Sequence, residues 1–198
     1  STITQVIQVT AEHKKPKKLL TFLNKIKEKD KAAGNRNKSR VLIFTNKIKT
    51  TKFVADFLGK NGFVCGALHG EKDQKQREQT LAHFKCGKLP MLVATDVAGR
   101  GLDIVKLPHV VNYDFPGNLE AYINRIGRTG RAGQQGHAFS FFTRNLAKMA
   151  PDLIKLLEEH SQDVDPYLRQ LAVDIASGKE VPVDGEGEGE GEGDDDEE

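Results

Sequence analysis

Three arginines, Arg125, Arg128 and Arg131, recur at three-residue intervals through Asn124-Arg125-Ile126-Gly127-Arg128-Thr129-Gly130-Arg131. A guanidinium stays charged at physiological pH and aims paired donors at pairs of oxygens, while a glycine lets backbone approach a ligand with no Cβ in the way. The pattern suits a grip on a polyphosphate, although a solvated basic turn taken alone would look the same. In phosphoryl transfer an inserted guanidinium stabilises the charge on the transferred group, and it can come from a domain other than the one that cradles the nucleotide. No such cradle is legible. Gly34-Asn35-Arg36-Asn37-Lys38-Ser39 ends in a tempting Lys-Ser, but Asn37 stands where a P-loop needs glycine, and the run leads into a strand instead of a helix N-terminus. Gly99-Arg100-Gly101 opens a dinucleotide fingerprint whose third glycine is replaced by Ile104. No Ser-His-Asp or Cys-His arrangement is present, and the six histidines match no metal-binding spacing. The arginines read as half of a site.

The elements that must carry them alternate. Short β-branched or apolar runs at residues 4–9, 41–45, 63–68, 91–94, 109–113 and 137–142 predict strands, all apolar enough to be buried centrally. Between them, residues 17–29 place Leu19, Leu20, Leu23 and Ile26 at helical spacing, and residues 50–60 do so with Phe53, Val54, Phe57 and Leu58. Residues 73–85 and 152–160 predict further helices, a short one over 166–176 closes the domain, and 30–39 reads as a mobile basic loop. Successive βα units build a parallel sheet, so the fold class is α/β. Such sheets bind ligands beyond the carboxyl ends of their strands. Thr45-Asn46, His69-Gly70 and Thr95-Asp96 fall there, which gathers the chemistry on one edge.

At 198 residues the chain is long enough to bury a core without disulfides, and Cys65 and Cys86 have no Cys-x-x-Cys partner. A reducing, intracellular setting is expected, cytoplasmic or nuclear, with no membrane partner, because no apolar run is long enough to span a bilayer. The net charge of +2 conceals an asymmetry: residues 184–198 hold ten acids and no base, which leaves 30 bases against 18 acids, or +12, for the rest. That body favours a polyanion such as nucleic acid. The expected organisation is a folded, monomeric domain over 1–176 and a disordered acidic Gly/Glu/Asp tail over 177–198, which could also compete with a polyanion for a basic groove.

Here the motifs reach a family. Ala94-Thr95-Asp96-Val97-Ala98-Gly99-Arg100-Gly101-Leu102-Asp103-Ile104 resembles motif V of the DEAD-box RNA helicases, and the arginine run with Tyr122-Ile123 before it resembles their motif VI. Val41-Leu42-Ile43-Phe44-Thr45-Asn46 is similar to motif IV, and Leu68-His69-Gly70 with Gln74-x-x-Arg77 to the Gln-x-x-Arg element. The resemblance spans about residues 1–176. It implies the second, C-terminal RecA-like domain: a predominantly parallel central sheet flanked by helices on both faces. The family's Walker loop, Asp-Glu-Ala-Asp box and Mg²⁺ ligands have no counterpart, so Mg²⁺ and the rest of the ATP site are expected on an N-terminal RecA-like domain.

By the same resemblance, Arg128 and Arg131 reach the γ-phosphate as the catalytic pair, and Asp103 and Gly101 contact the rest of the ATP, Asp103 at its ribose. Thr45, Gly70, Gln74, Arg77 and Thr95 hold an RNA backbone without reading its bases, and Arg125 is more structural than catalytic. The implied function is an ATP-dependent RNA helicase that the isolated domain cannot run, with possible protein regulators. The alternatives are a clamp that binds RNA or protein without turnover, and a DNA helicase of the same superfamily. One departure stands out: Asn124 occupies the position where the family usually has His.

Overall fold

In the computed structural model, residues 2–35, 38–96 and 107–181 are described. Six parallel strands form one sheet: β1 (Ile3–Val9), β2 (Val41–Phe44), β3 (Cys65–Leu68), β4 (Met91–Ala94), β5 (His109–Asn112) and β6 (Gly136–Phe142). Their order is β1-β6-β5-β2-β4-β3. All four residues of β2 and of β4 are buried, as a strand covered on both faces requires. β1 and β3 lie at the two edges, so the expectation that every strand is central is corrected for these two: β1 alternates exposed with buried residues, and three of the four residues of β3 are half-buried.

The helices are α1 (Lys15–Ala32), α2 (Ile48–Lys60), α3 (Gln74–Lys85), α4 (Leu119–Ile126), α5 (Ala150–Glu159) and α6 (Pro166–Ala176). Helix α1 carries Pro16 in its first turn, buries Leu19, Leu23 and Ile26 at helical spacing, and stops before Gly34, whose positive φ of 68° ends the run. It continues past the predicted end into the stretch read as a loop, and the Asp30 carboxylate ties that stretch back by accepting from the Ser39 amide (2.8 Å) and hydroxyl (2.6 Å). Asp73, Asn118 and Asp165 cap α3, α4 and α6 by accepting from the amides of Gln76, Ala121 and Tyr167.

Helices α1 and α2 pack on the sheet face that carries Val41, Ile43, Val93, Val111 and Phe141. The opposite face divides between Phe84 of α3, against Leu42, Leu92 and Val110, and a cluster from α4, α5 and α6 against Ile7, Val9, Ala138 and Phe142. Both faces are therefore covered over the four inner strands.

Side chains answer three positions on the outer edge of β1. Gln162 Oε1 accepts from the Gln5 amide (2.8 Å), its Nε2 donates to the Ile3 carbonyl (3.2 Å), and Asp165 Oδ2 accepts from the Val9 amide (3.1 Å). Edge amides left open would invite another strand.

At the amino ends of β5 and β6, His109 stacks on His137 at 5.3 Å and meets the Phe22 edge, and its buried Nδ1 has no hydrogen-bond partner. Burial, helped by the neighbouring His137, lowers its pKa from 6.5 to about 4, with Asp30 opposing. The folded state thus favours neutral His109, so its contribution to stability is complete above pH 6.5 and lost as pH falls from 6.5 towards 4. The loss is roughly 3 kcal/mol at about 1.4 kcal/mol per unit. Urea denaturation at pH 7.5 and pH 4.5 checks this, and His109→Leu is expected to shrink the difference between them.

Candidate functional site

Strands β2, β4 and β3 are neighbours, and their carboxyl ends bring together Thr45, Thr95 and the His69-Gly70 turn. Gly70 and Gln74 are exposed, Arg77 is half-buried, and a Cβ added at Gly70 would meet nothing within 4 Å, so this backbone is open to an approaching chain. Thr45 is fully buried and its hydroxyl is 2.6 Å from that of Thr51, which anchors the first turn of α2. Thr95 is 8% exposed. The His69 imidazole is lowered from its ordinary pKa by burial and then by Lys72 and Lys52, and its Nδ1 accepts from the Glu71 amide. Glu71, in turn, pairs with Lys52 at 2.7 Å.

The arginine run was legible in sequence as a motif but not as an element. Helix α4, which supplies its first half, was not anticipated. It starts beyond the carboxyl end of β5 and runs back along the sheet, so the turn that follows sits at the other end. There the Thr129 hydroxyl donates to the Leu107 carbonyl just before β5, and the Thr2 hydroxyl donates to the Gly130 carbonyl (3.2 Å) just before β1. Gly130 takes a positive φ of 70°, and a Cβ on Gly136 would collide with the Gly130 backbone. Backbone therefore lies on backbone where the turn meets the start of β6. Arg128 and Arg131 flank this turn and are both half-buried, and Arg131 Nε donates to the Gly127 carbonyl at 2.9 Å. Their turn is at the amino ends of β1, β5 and β6, so the expectation that all the chemistry gathers on the carboxyl edge is corrected for this pair.

Arg125 spans the two regions. Its side chain is 3% exposed and all five of its N–H donors are used. Nε and one terminal nitrogen grip both oxygens of Asp96 at 2.7 Å, and the others reach Asn112 Oδ1 (3.2 Å), the Asp114 carbonyl (2.8 Å) and Asn46 Oδ1 (2.6 Å). The guanidinium carbon also lies 5.2 Å from the centre of the Phe44 ring. The network extends through Asp114, which accepts from the Asn46 amide (2.9 Å) and from Lys15 Nζ (3.1 Å), itself paired with Glu12. Arg125, in the same motif as the other two, is committed to holding the fold. Among the described residues no group of His, Cys, Asp and Glu could hold a metal ion. Gly101 and Asp103 lie outside the described residues, as does the acidic tail from residue 182.

The family model for the helicase conserved C-terminal domain matches residues 14–133. The ATP-dependent RNA helicase dbp2 of Neurospora crassa is 43% identical over 170 residues, which covers 86% of this chain and 29% of that protein. The RNA helicase Prp28 of Chaetomium thermophilum, solved bound to ADP, superposes with a TM-score of 0.71 at 36% identity, covering 84% of this chain and 39% of the other. The E. coli DEAD-box protein SrmB, solved bound to the regulator of ribonuclease activity A, superposes with a TM-score of 0.63 at 29% identity, covering 75% and 81%.

This chain is a DEAD-box helicase C-terminal domain.

It spans about 30% of the length of the curated relatives it matches. The RecA-like architecture expected from the motifs is the observed one. The sequence placed Asn46 and Asp96 on the carboxyl edge of this helicase domain, but neither their pairing with Arg125 nor the part of Asn112 and Asp114 was read from it. Each sits at or just past the carboxyl end of a strand, and that shared position beside a motif arginine was the available signal. Asn124, the departure from the family pattern, is exposed on α4.

Proposed function

We propose that this domain forms one wall of an ATP site completed by an N-terminal RecA-like domain, and that closure of the two drives RNA unwinding. The observation that carries the reading is the division of labour within one motif: Arg125 spends every donor inside the fold, whereas Arg128 and Arg131 flank a partly exposed turn whose backbone is fixed to the sheet. A fixed turn suits the task, since a guanidinium placed at the γ-phosphate stabilises transition-state charge only if it needs no rearrangement to get there. Arg128 and Arg131 take that role, and Gly101 and Asp103 line the nucleotide, Asp103 at the ribose. Mg²⁺ accompanies the ATP and is held from the N-terminal side.

The other end of the sheet binds RNA. Gly70, Gln74 and Arg77 offer an open amide, an amide side chain and a guanidinium to phosphate oxygens, with Thr45 and Thr95 behind them, a set that positions a backbone without reading bases. The names of the relatives support RNA as the polymer, and the regulator-bound neighbour supports protein partners. The arginine turn and the RNA edge lie at opposite ends of the strands, so ATP and RNA can occupy the domain together.

Reconstitution tests the proposal. The 198-residue chain alone is expected to show no ATP hydrolysis above background, and RNA-stimulated hydrolysis is expected once the N-terminal half is joined to it. Robust RNA-stimulated turnover by the chain alone would overturn the composite-site reading.

A further inference from the structure

We propose that the cleft between α1 and β1 is a docking surface for acidic peptide, and that its occupant is the acidic tail of this same chain, residues 184–198. The cleft has a volume of about 1070 Å³. It exists because β1 is an edge strand: Ile7 and Val9 are buried on one face of the sheet, while on the other face Thr4, Val6 and Gln8 lie between α1 and the 161–166 segment. The centre of its floor is apolar, with Val6 48% exposed beside Phe139, its register partner in β6, and with Phe22 of α1 stacked on Phe139 at 4.4 Å, while Thr4 and Gln8 flank it.

The two walls differ in charge. Lys14, Lys17, Lys18 and Lys25 line the α1 side, at spacings that put them on one face of the helix. The opposite wall carries Asp163 and Asp165, the latter already holding the Val9 and Tyr167 amides. A polyanion in this cleft is drawn to α1 and repelled from the far wall, which gives it one way to lie.

The tail fits this field. It contains ten acids and no base, and Glu186, Glu188, Glu190 and Glu192 alternate with glycine. In an extended chain such alternation sets the four carboxylates on one side at about 7 Å intervals, a row that runs along the line of Lys14, Lys18 and Lys25, which lie about 6 and 10 Å apart along the helix axis. The side-chain-free glycines let the other side lie flat against Val6 and Phe139. Reach is sufficient. Val181, the last described residue, packs on the cluster that holds Ile7 and Leu171 beneath β1, and the 17 residues beyond it can span up to about 58 Å. The cleft sits at the β1 edge and the RNA-side residues at the β3 edge, about 24 Å away across the sheet. A tail seated here therefore leaves Gly70, Gln74 and Arg77 uncovered, in contrast to a tail that competes for the RNA surface.

Zero-length carbodiimide cross-linking of the full chain at low salt, digested and read by mass spectrometry from the monomer fraction, tests this. Tail carboxylates are expected to couple to Lys14, Lys17, Lys18 and Lys25 at least fivefold more than to Lys75 and Lys88. The preference is expected to vanish in about 0.5 M salt, where charges more than a few ångströms apart are screened, and coupling to the retained Lys14 is expected to fall to the level of Lys75 and Lys88 in the triple variant Lys17→Glu, Lys18→Glu, Lys25→Glu. Links spread evenly over all lysines would overturn the proposal. So would links concentrated on Lys47, Lys49 and Lys52 beside the RNA edge, or links found only in a covalent dimer, which would make a second copy the occupant.

Discussion

Arg128→Ala or Arg131→Ala, each introduced into a protein carrying both RecA-like halves, is expected to lower the ATP turnover number by about 10³-fold or more. RNA affinity without nucleotide should stay within about twofold, because the arginine turn lies at the amino ends of β1, β5 and β6 and the RNA-side residues at the carboxyl ends of β2, β4 and β3. Folding stability should fall by no more than about 1 kcal/mol, the usual worth of a hydrogen bond such as that from Arg131 to Gly127. Steady-state hydrolysis with saturating RNA, fluorescence anisotropy and urea denaturation read the three quantities separately. Turnover that survives either substitution would remove that arginine from the hydrolytic site and leave the domain's part in the complex to binding alone.

Arg125→Ala should give the reverse signature. Its guanidinium is 3% exposed and its removal strands Asn46 Oδ1, Asn112 Oδ1 and the Asp114 carbonyl, in addition to the Asp96 carboxylate. Breaking a buried pair by deleting one member costs about 3–5 kcal/mol, much of it for the groups left unpaired. Asp96 is 51% exposed and can turn to water, so the lower half of that range is expected for Arg125→Ala. Asp96→Ala should cost a similar amount, because it leaves the positive charge buried. Arg125→Lys cannot replace five forked donors with three on one nitrogen, and should recover less than half of the loss. Urea denaturation of the chain itself checks all three, and a loss below about 1 kcal/mol for Arg125→Ala would show that the network does not hold the domain together.

The inner strands were legible because a strand covered on both faces is written as an unbroken apolar run, as in Val41–Phe44 and Met91–Ala94. Cys65–Leu68 was harder, since glycine and alanine carry little pattern and its predicted start fell two residues early. Helix α4 was overlooked because it is eight residues long and its polar positions drew a chemical reading, yet Asn118 capping the Ala121 amide with Tyr122 and Ile126 one turn apart was a legible helix start. The Arg125 network could not be paired from sequence. Its partners stand 11 to 79 residues away along the chain and meet only when β2, β4 and β5 are side by side. The direction of the Thr45 hydroxyl was likewise fixed by packing of α2, not by its place after a strand.

The capped border of β1 has a bearing on what can bind beside it. An incoming chain that offered its own peptide groups would find the outward positions at Ile3, Gln5 and Val9 already answered by Gln162 and Asp165. Recognition by shared main-chain geometry, which accepts almost any sequence, is interrupted at those three positions. Whatever settles against this side of the molecule is chosen more by its side chains than by its main chain, and the capping that makes the border selective also discourages edge-to-edge pairing.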